Sequence, residues 1–94
     1  MIYKRRVDNN QKKIVNALKK VGTSIIDLSK VGQGVADLLV GHQNKTYLIE
    51  IKNPENSYGK KGFNQNQKEL IKKWNGSKIQ IADSEEKAFE IIGI

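Results

Sequence analysis

Short apolar runs separated by polar breaks divide this chain, and the spacing inside each run distinguishes helix from strand. Ile14, Val15, Leu18 and Val21 recur at helical spacing after Asp8-Asn9-Asn10-Gln11, and Gly22 follows them. The pattern predicts a first helix that starts at Asp8, buries those four side chains and stops at Gly22. Thr23 to Leu28, with Ile25 and Ile26 at its centre, reads as a first strand. Val35 to Val40 and Tyr47 to Ile51 flank Gly41-His42-Gln43-Asn44-Lys45, a segment rich in turn formers. They predict an antiparallel hairpin with His42 at its tip, a turn residue rather than a catalytic base. A second helix opens near Asn64, with Leu70, Ile71 and Trp74 as its buried stripe and Asn75-Gly76 as its end. Lys78 to Ala82 forms the last strand, and Asp83 caps a short helix carrying Ala88, Phe89 and Ile92.

The order helix, three strands, helix, strand, helix predicts an α/β fold with a mixed sheet flanked by helices. Ninety-four residues make a single domain, 1–94, with a modest core. The absence of cysteine excludes disulfides and thiolate metal sites, and a lone histidine excludes a histidine-based zinc centre. No apolar run approaches the ~20 residues of a membrane span, and no signal-peptide pattern opens the chain. The expectation is a soluble, cytoplasmic protein without a membrane partner.

Charge narrows the partner. The net charge of +7 favours a polyanion. DNA fits better than a lipid surface, because no predicted helix joins a wholly basic face to a strongly apolar one. Lys4-Arg5-Arg6 forms a basic arm, either a phosphate contact or a solvated tail.

Two acids carry the chemistry. Asp37 and Glu50 each interrupt an apolar run, and burying a carboxylate is costly unless it is paired or coordinates a metal. If residues 42–45 form a four-residue loop, Gly41 faces Thr46 and Asp37 lies opposite Glu50. Like charges placed so, with Cβ atoms roughly 4.5–5.5 Å apart, destabilise a sheet, and a divalent cation between them removes the repulsion. Glu50 and Lys52 share a face because strand side chains alternate. Such a site suits Mg²⁺ or Mn²⁺, with the Ile51 carbonyl as a further oxygen ligand and Lys52 beside the attacking water or the phosphate. A structural ion pair between Lys52 and one carboxylate is the plainer alternative.

Asp37, then twelve residues, then Glu50-Ile51-Lys52 resembles the PD-(D/E)XK nuclease signature. The surrounding Val31-Gly32-Gln33-Gly34-Val35-Ala36-Asp37-Leu38-Leu39-Val40-Gly41 most resembles the small stand-alone VRR-Nuc (virus-type replication-repair nuclease) proteins. The likeness extends over nearly the whole chain. Ala36 stands where the superfamily name has proline, and Gln11 where many relatives carry a metal-coordinating glutamate. The resemblance implies a restriction-endonuclease-like core and a Mg²⁺- or Mn²⁺-dependent DNA endonuclease. Asp37 and Glu50 would hold the metal, Lys52 would assist the water, and Gln67 would lie on the substrate side. It also implies a homodimer that prefers branched or junction DNA.

Other readings stay open. Gln11 and Gln67 each sit three residues after a capping residue, so each fits a capping box as well as an active-site amide. The two glycines near residue 33 either admit a phosphate or simply make a tight turn. Asn53 to Gly62 leaves the Glu50 strand and passes the mouth of the site, where Lys60 and Lys61 either hold a DNA backbone or belong to a linker. Glu55 lacks an apolar setting and is no ligand. A non-catalytic nucleic-acid-binding module is the alternative function, although phosphate binding gains nothing from two facing carboxylates.

Overall fold

Leu18 and Gly22 decide where the first helix stops. Helix α1 spans Asn9–Lys20. Beyond it the Leu18 carbonyl accepts from the Val21 and Thr23 amides and from Thr23 Oγ1, while the Lys19 carbonyl accepts from Gly22. This closure requires a left-handed residue, and Gly22 supplies it at φ 89° without a Cβ penalty. The computed structural model describes residues 9–31, 35–52 and 65–94. Asp8 and Asn64, expected as caps, lie outside them.

Four strands form one sheet in the order β1-β2-β3-β4. They are β1 (Ser24–Asp27), β2 (Leu38–His42), β3 (Lys45–Ile51) and β4 (Ile79–Ala82). The first three run antiparallel, and β4 joins β3 in parallel. Parallel neighbours need a crossover, and α2 (Gln65–Lys73) lies within it. Helix α3 (Glu85–Ile91) closes the chain. The mixed sheet and the element order are those the periodicity predicts.

The hairpin turn is tighter than expected. Pairing continues to His42↔Lys45, leaving a two-residue turn of Gln43 and Asn44 at φ 49° and 66°. Turns with both central residues at positive φ match the twist of the flanking strands. The register survives because the loop shortens by one residue on each side, and Gly41 still faces Thr46. His42 therefore ends β2 instead of sitting in the loop.

The two sheet faces differ. Leu38, Val40, Ile49 and Ile51 pack with Ile14 and Leu18 of α1 and with Ala88 and Ile92 around α3. That face is the core. Val15 joins it half-buried, but Val21 is 38% exposed because the helix has ended before it. Leu39, Leu48 and Ile79 line the opposite face, towards α2. The expected buried stripe of α2 is only partly realised. Leu70 is half-buried, whereas Ile71 and Trp74 stay exposed. The helix stands off the sheet, and a cavity of about 320 Å³ separates Leu70 and Trp74 from Leu39, Leu48 and Ile79. Trp74 is thus not a core residue.

Ser84, not Asp83, caps α3: its hydroxyl accepts from the Lys87 amide at 3.1 Å. Among the described residues no helix is long and apolar enough to cross a membrane.

The α1 stripe generates a test. Leu18→Ala is expected to lower unfolding free energy by about 2–5 kcal/mol, and Val21→Ala by about 0.5 kcal/mol or less. Urea melts of both variants check this; equal losses would contradict the boundary at Lys20.

Candidate active site

Unequal strand lengths create the site. Strand β2 begins at Leu38, opposite Ile49, while β3 runs on to Ile51. The Ile51 amide points towards β2, where no strand residue pairs with it. Asp37 Oδ2 accepts that N–H at 2.8 Å. A carboxylate thus takes the place of a ladder carbonyl. The Asp37 carbonyl in turn accepts from the Leu28 amide at 2.7 Å, which ties it to the end of β1. Its side chain and its backbone are both held.

Glu50 precedes Ile51 and is buried, at 6% exposure. Its Oε2 lies 3.2 Å from Lys52 Nζ, as the shared strand face predicts. This is the structural ion pair that the sequence allowed, but it satisfies one oxygen only. Glu50 Oε1 is buried with no hydrogen-bond partner among the described residues. An unsatisfied buried carboxylate oxygen is costly. The Lys52 pair satisfies only one of the two buried oxygens, so it does not by itself offset the cost of burying the acid.

The second carboxyl feels the first. Burial pushes the Asp37 carboxyl up to about 6, and the Glu50 charge and a hydrogen bond between the two carboxyls add to the rise; the Ile51 N–H and the Lys52 ammonium oppose it. Two carboxyls so arranged resist ionising together. A hard cation would relieve both the repulsion and the unpartnered oxygen. The donor set fits one, because Mg²⁺ is commonly held by one or two carboxylates and otherwise by waters and substrate phosphates. Among the described residues no group of three or more His, Cys, Asp or Glu side chains could hold a metal. The candidate centre therefore has two carboxylates and must draw its remaining ligands from backbone, water or substrate. Ile51 joins it through the amide that holds Asp37.

Lys52 is anchored by its backbone. Its amide donates to Ala82 at 3.0 Å, and its carbonyl accepts from Asn10 Nδ2 at 2.8 Å. Asn10 also donates to the Asp83 carbonyl at 3.1 Å. The start of α1 therefore clasps the ends of β3 and β4. Sequence reasoning missed Asn10, because an asparagine at a helix start reads as a capping residue.

The two glutamines differ in setting. Gln11 is buried, and its Nε2 approaches Asp27 Oδ2 at 3.5 Å. Asp27 was also missed, although an acid directly after Ile25-Ile26 is the same kind of signal as Asp37 before Leu38-Leu39. Hydrogen bonds from the Ser29 hydroxyl and amide hold its carboxyl below the usual range. Gln67 is buried in the first turn of α2, at 4% exposure. Gln67, Leu70 and Trp74 share one helical stripe. Trp74 borders the cavity together with Thr46 and Ser77, at the Lys45 end of β3.

Lys60, Lys61, Glu55, the basic arm and the glycines near residue 33 lie outside the described residues. His42 pairs with Lys45 at the end of β2 remote from Asp37. No family model, curated protein or solved structure matches the chain.

The acid pair predicts a pH signature in metal-free protein. A carboxyl raised from 3.8 to about 6 binds its proton more tightly folded than unfolded. That contribution to stability is full below the unfolded value and disappears as pH rises through about 6. In urea melts with chelator, the wild type is expected to lose stability relative to Asp37→Asn as pH rises from about 4 to about 7. A difference that stays constant with pH would contradict the raised carboxyl.

Proposed function

We propose that this chain is a Mg²⁺- or Mn²⁺-dependent DNA endonuclease that hydrolyses phosphodiester bonds. The observation carrying the reading is the buried Asp37–Glu50 carboxyl pair, whose Glu50 Oε1 has no hydrogen-bond partner among the described residues, with the Lys52 ammonium 3.2 Å from the other Glu50 oxygen. The +7 charge supports a polyanionic substrate. The resemblance to the VRR-Nuc proteins supports it further, and the four-stranded mixed sheet is read as a restriction-endonuclease-like core.

In this reading Asp37 and Glu50, with the Ile51 carbonyl, would hold the cation. When bound, it supplies charge neutralisation at the phosphate and acidifies a water. Lys52 holds that water in line, or donates to the phosphate oxygen on which charge develops. The water oxygen forms the new P–O bond, its proton passes to solvent, and the ester oxygen leaves protonated. Asn10 and Ala82 fix the Lys52 backbone, so the ammonium reaches the site from a rigid base. Gln67 serves the substrate side by contacting phosphate or water. Gln11, whose Nε2 approaches Asp27 Oδ2 at 3.5 Å, would contact water or substrate. Lys60 and Lys61 hold the DNA backbone beyond it.

Asp37→Asn, Glu50→Gln and Lys52→Ala are each expected to slow plasmid nicking in Mg²⁺ by about 100-fold or more, with a cooperative melt retained. A Glu50→Gln protein that cuts near the wild-type rate would overturn the assignment. A wild type that binds DNA but cuts none with either metal would make the chain a non-catalytic nucleic-acid-binding module.

Symmetric cutting of branched DNA needs two active sites, and a two-fold homodimer supplies them with matching polarity. Light scattering is expected to give a dimeric mass, and a four-way junction to be cut faster than its linear control. A monomeric mass with equal rates would remove the dimer and the junction preference while leaving the hydrolytic chemistry in place.

A further inference from the structure

We infer that a basic depression at the Lys45 end of the sheet, on the face opposite α2, binds the phosphodiester backbone of DNA. The inference rests on the nuclease reading and adds a substrate contact away from the carboxylates. The depression measures about 460 Å³ and is lined by Lys45, Thr46, Tyr47, Ser77, Lys78 and Gln80. Each of these carries a side-chain hydrogen-bond donor, and among the described residues no acid lines it. Lys, Ser, Thr, Gln and Tyr are side chains that contact phosphate oxygens in DNA complexes.

Alternation fixes the face. Lys45 and Tyr47 precede Ile49 on β3 at period two, and Gln80 pairs with Ile49 from β4. Lys78 lies two residues before Gln80. These four therefore belong to the face whose further part is the core. Tyr47 packs half-buried against that core, and the row then ends in Lys45, which is exposed. Gln80 is half-buried and Lys78 exposed. A tyrosine and an amide thus form the floor, and two ammonium groups form the rim.

Both lysines rise from anchored backbone. Lys45 pairs with His42 across the two-residue turn. Ser77, beside Lys78, accepts at its carbonyl from Trp74 Nε1 at 2.8 Å. Two cations held around one depression repel, and an anion between them removes the repulsion. Lys45 stands five residues before Glu50, about 17 Å along the strand, and on the other sheet face. The phosphates held there are therefore not the one that is cut, and the contact governs affinity.

Anisotropy of a short labelled DNA duplex, with chelator present and across a sodium chloride series, tests this. Lys45→Ala/Lys78→Ala is expected to flatten the fall of log affinity with log salt by about 2 units. Tyr47→Phe and Gln80→Ala remove no charge, and each is expected to weaken binding roughly 2- to 10-fold with the slope unchanged. Lys72→Ala/Lys73→Ala takes the same charge from α2, across the sheet, and is expected to leave the slope near that of the wild type. Thermal melts confirm that each variant folds. An unchanged slope in Lys45→Ala/Lys78→Ala, or equal flattening in the α2 variant, would overturn the site. Full affinity in both neutral variants, or a wild type that binds no DNA, would overturn it too. Plasmid nicking in Mg²⁺ separates the two readings. Nicking with an unflattened slope removes the depression alone, and the expected slopes in a protein that cuts nothing support the depression while removing the nuclease.

Discussion

The hydrogen bond from the Ile51 amide to Asp37 Oδ2, at 2.8 Å, is the constraint on which the site depends. It exists because β3 outruns β2, leaving a ladder donor that a backbone carbonyl does not meet. A side chain meets it, and only a short acceptor at the residue before β2 has the reach. That requirement brings Asp37 level with Glu50. The rest follows: Glu50 must share a buried face with a second acid, Lys52 falls beside it by alternation, and Asn10 locks the Lys52 backbone from the opposite side.

Such an arrangement does not favour the metal-free fold. Burial raises Asp37, Glu50 adds to the rise, and one Glu50 oxygen has no hydrogen-bond partner among the described residues. Buried charge clusters of this kind persist where the surrounding structure over-determines them. Here the sheet register, the α1 clasp and the Leu28 amide do so. The carboxylates are held together rather than drawn together, which is the condition for a centre that a cation completes.

Much of this could be read from residue order. Period-two alternation and turn formers set the hairpin register, and a misjudged loop length did no harm because the error was symmetric about the turn. Asp37 and Glu50 stood out as lone acids in apolar runs. Asn10 and Asp27 did not, because their roles arise from contacts between elements distant in the chain. Periodicity also misjudged α2. It marks Leu70, Ile71 and Trp74 as the buried stripe, but it does not say what that stripe meets. In the fold Leu70 and Trp74 both border a cavity that separates them from the sheet, Leu70 half-buried and Trp74 exposed.

The central claim is that Asp37 and Glu50 together form one divalent-cation site. Calorimetric titration of the metal-free protein with Mn²⁺ at neutral pH tests it without requiring turnover or DNA. One Mn²⁺ per chain is expected in the wild type, with the heat abolished in both Asp37→Asn and Glu50→Gln and retained in Gln11→Ala. Absence of binding in the wild type, or undiminished binding in folded Asp37→Asn, would contradict the claim.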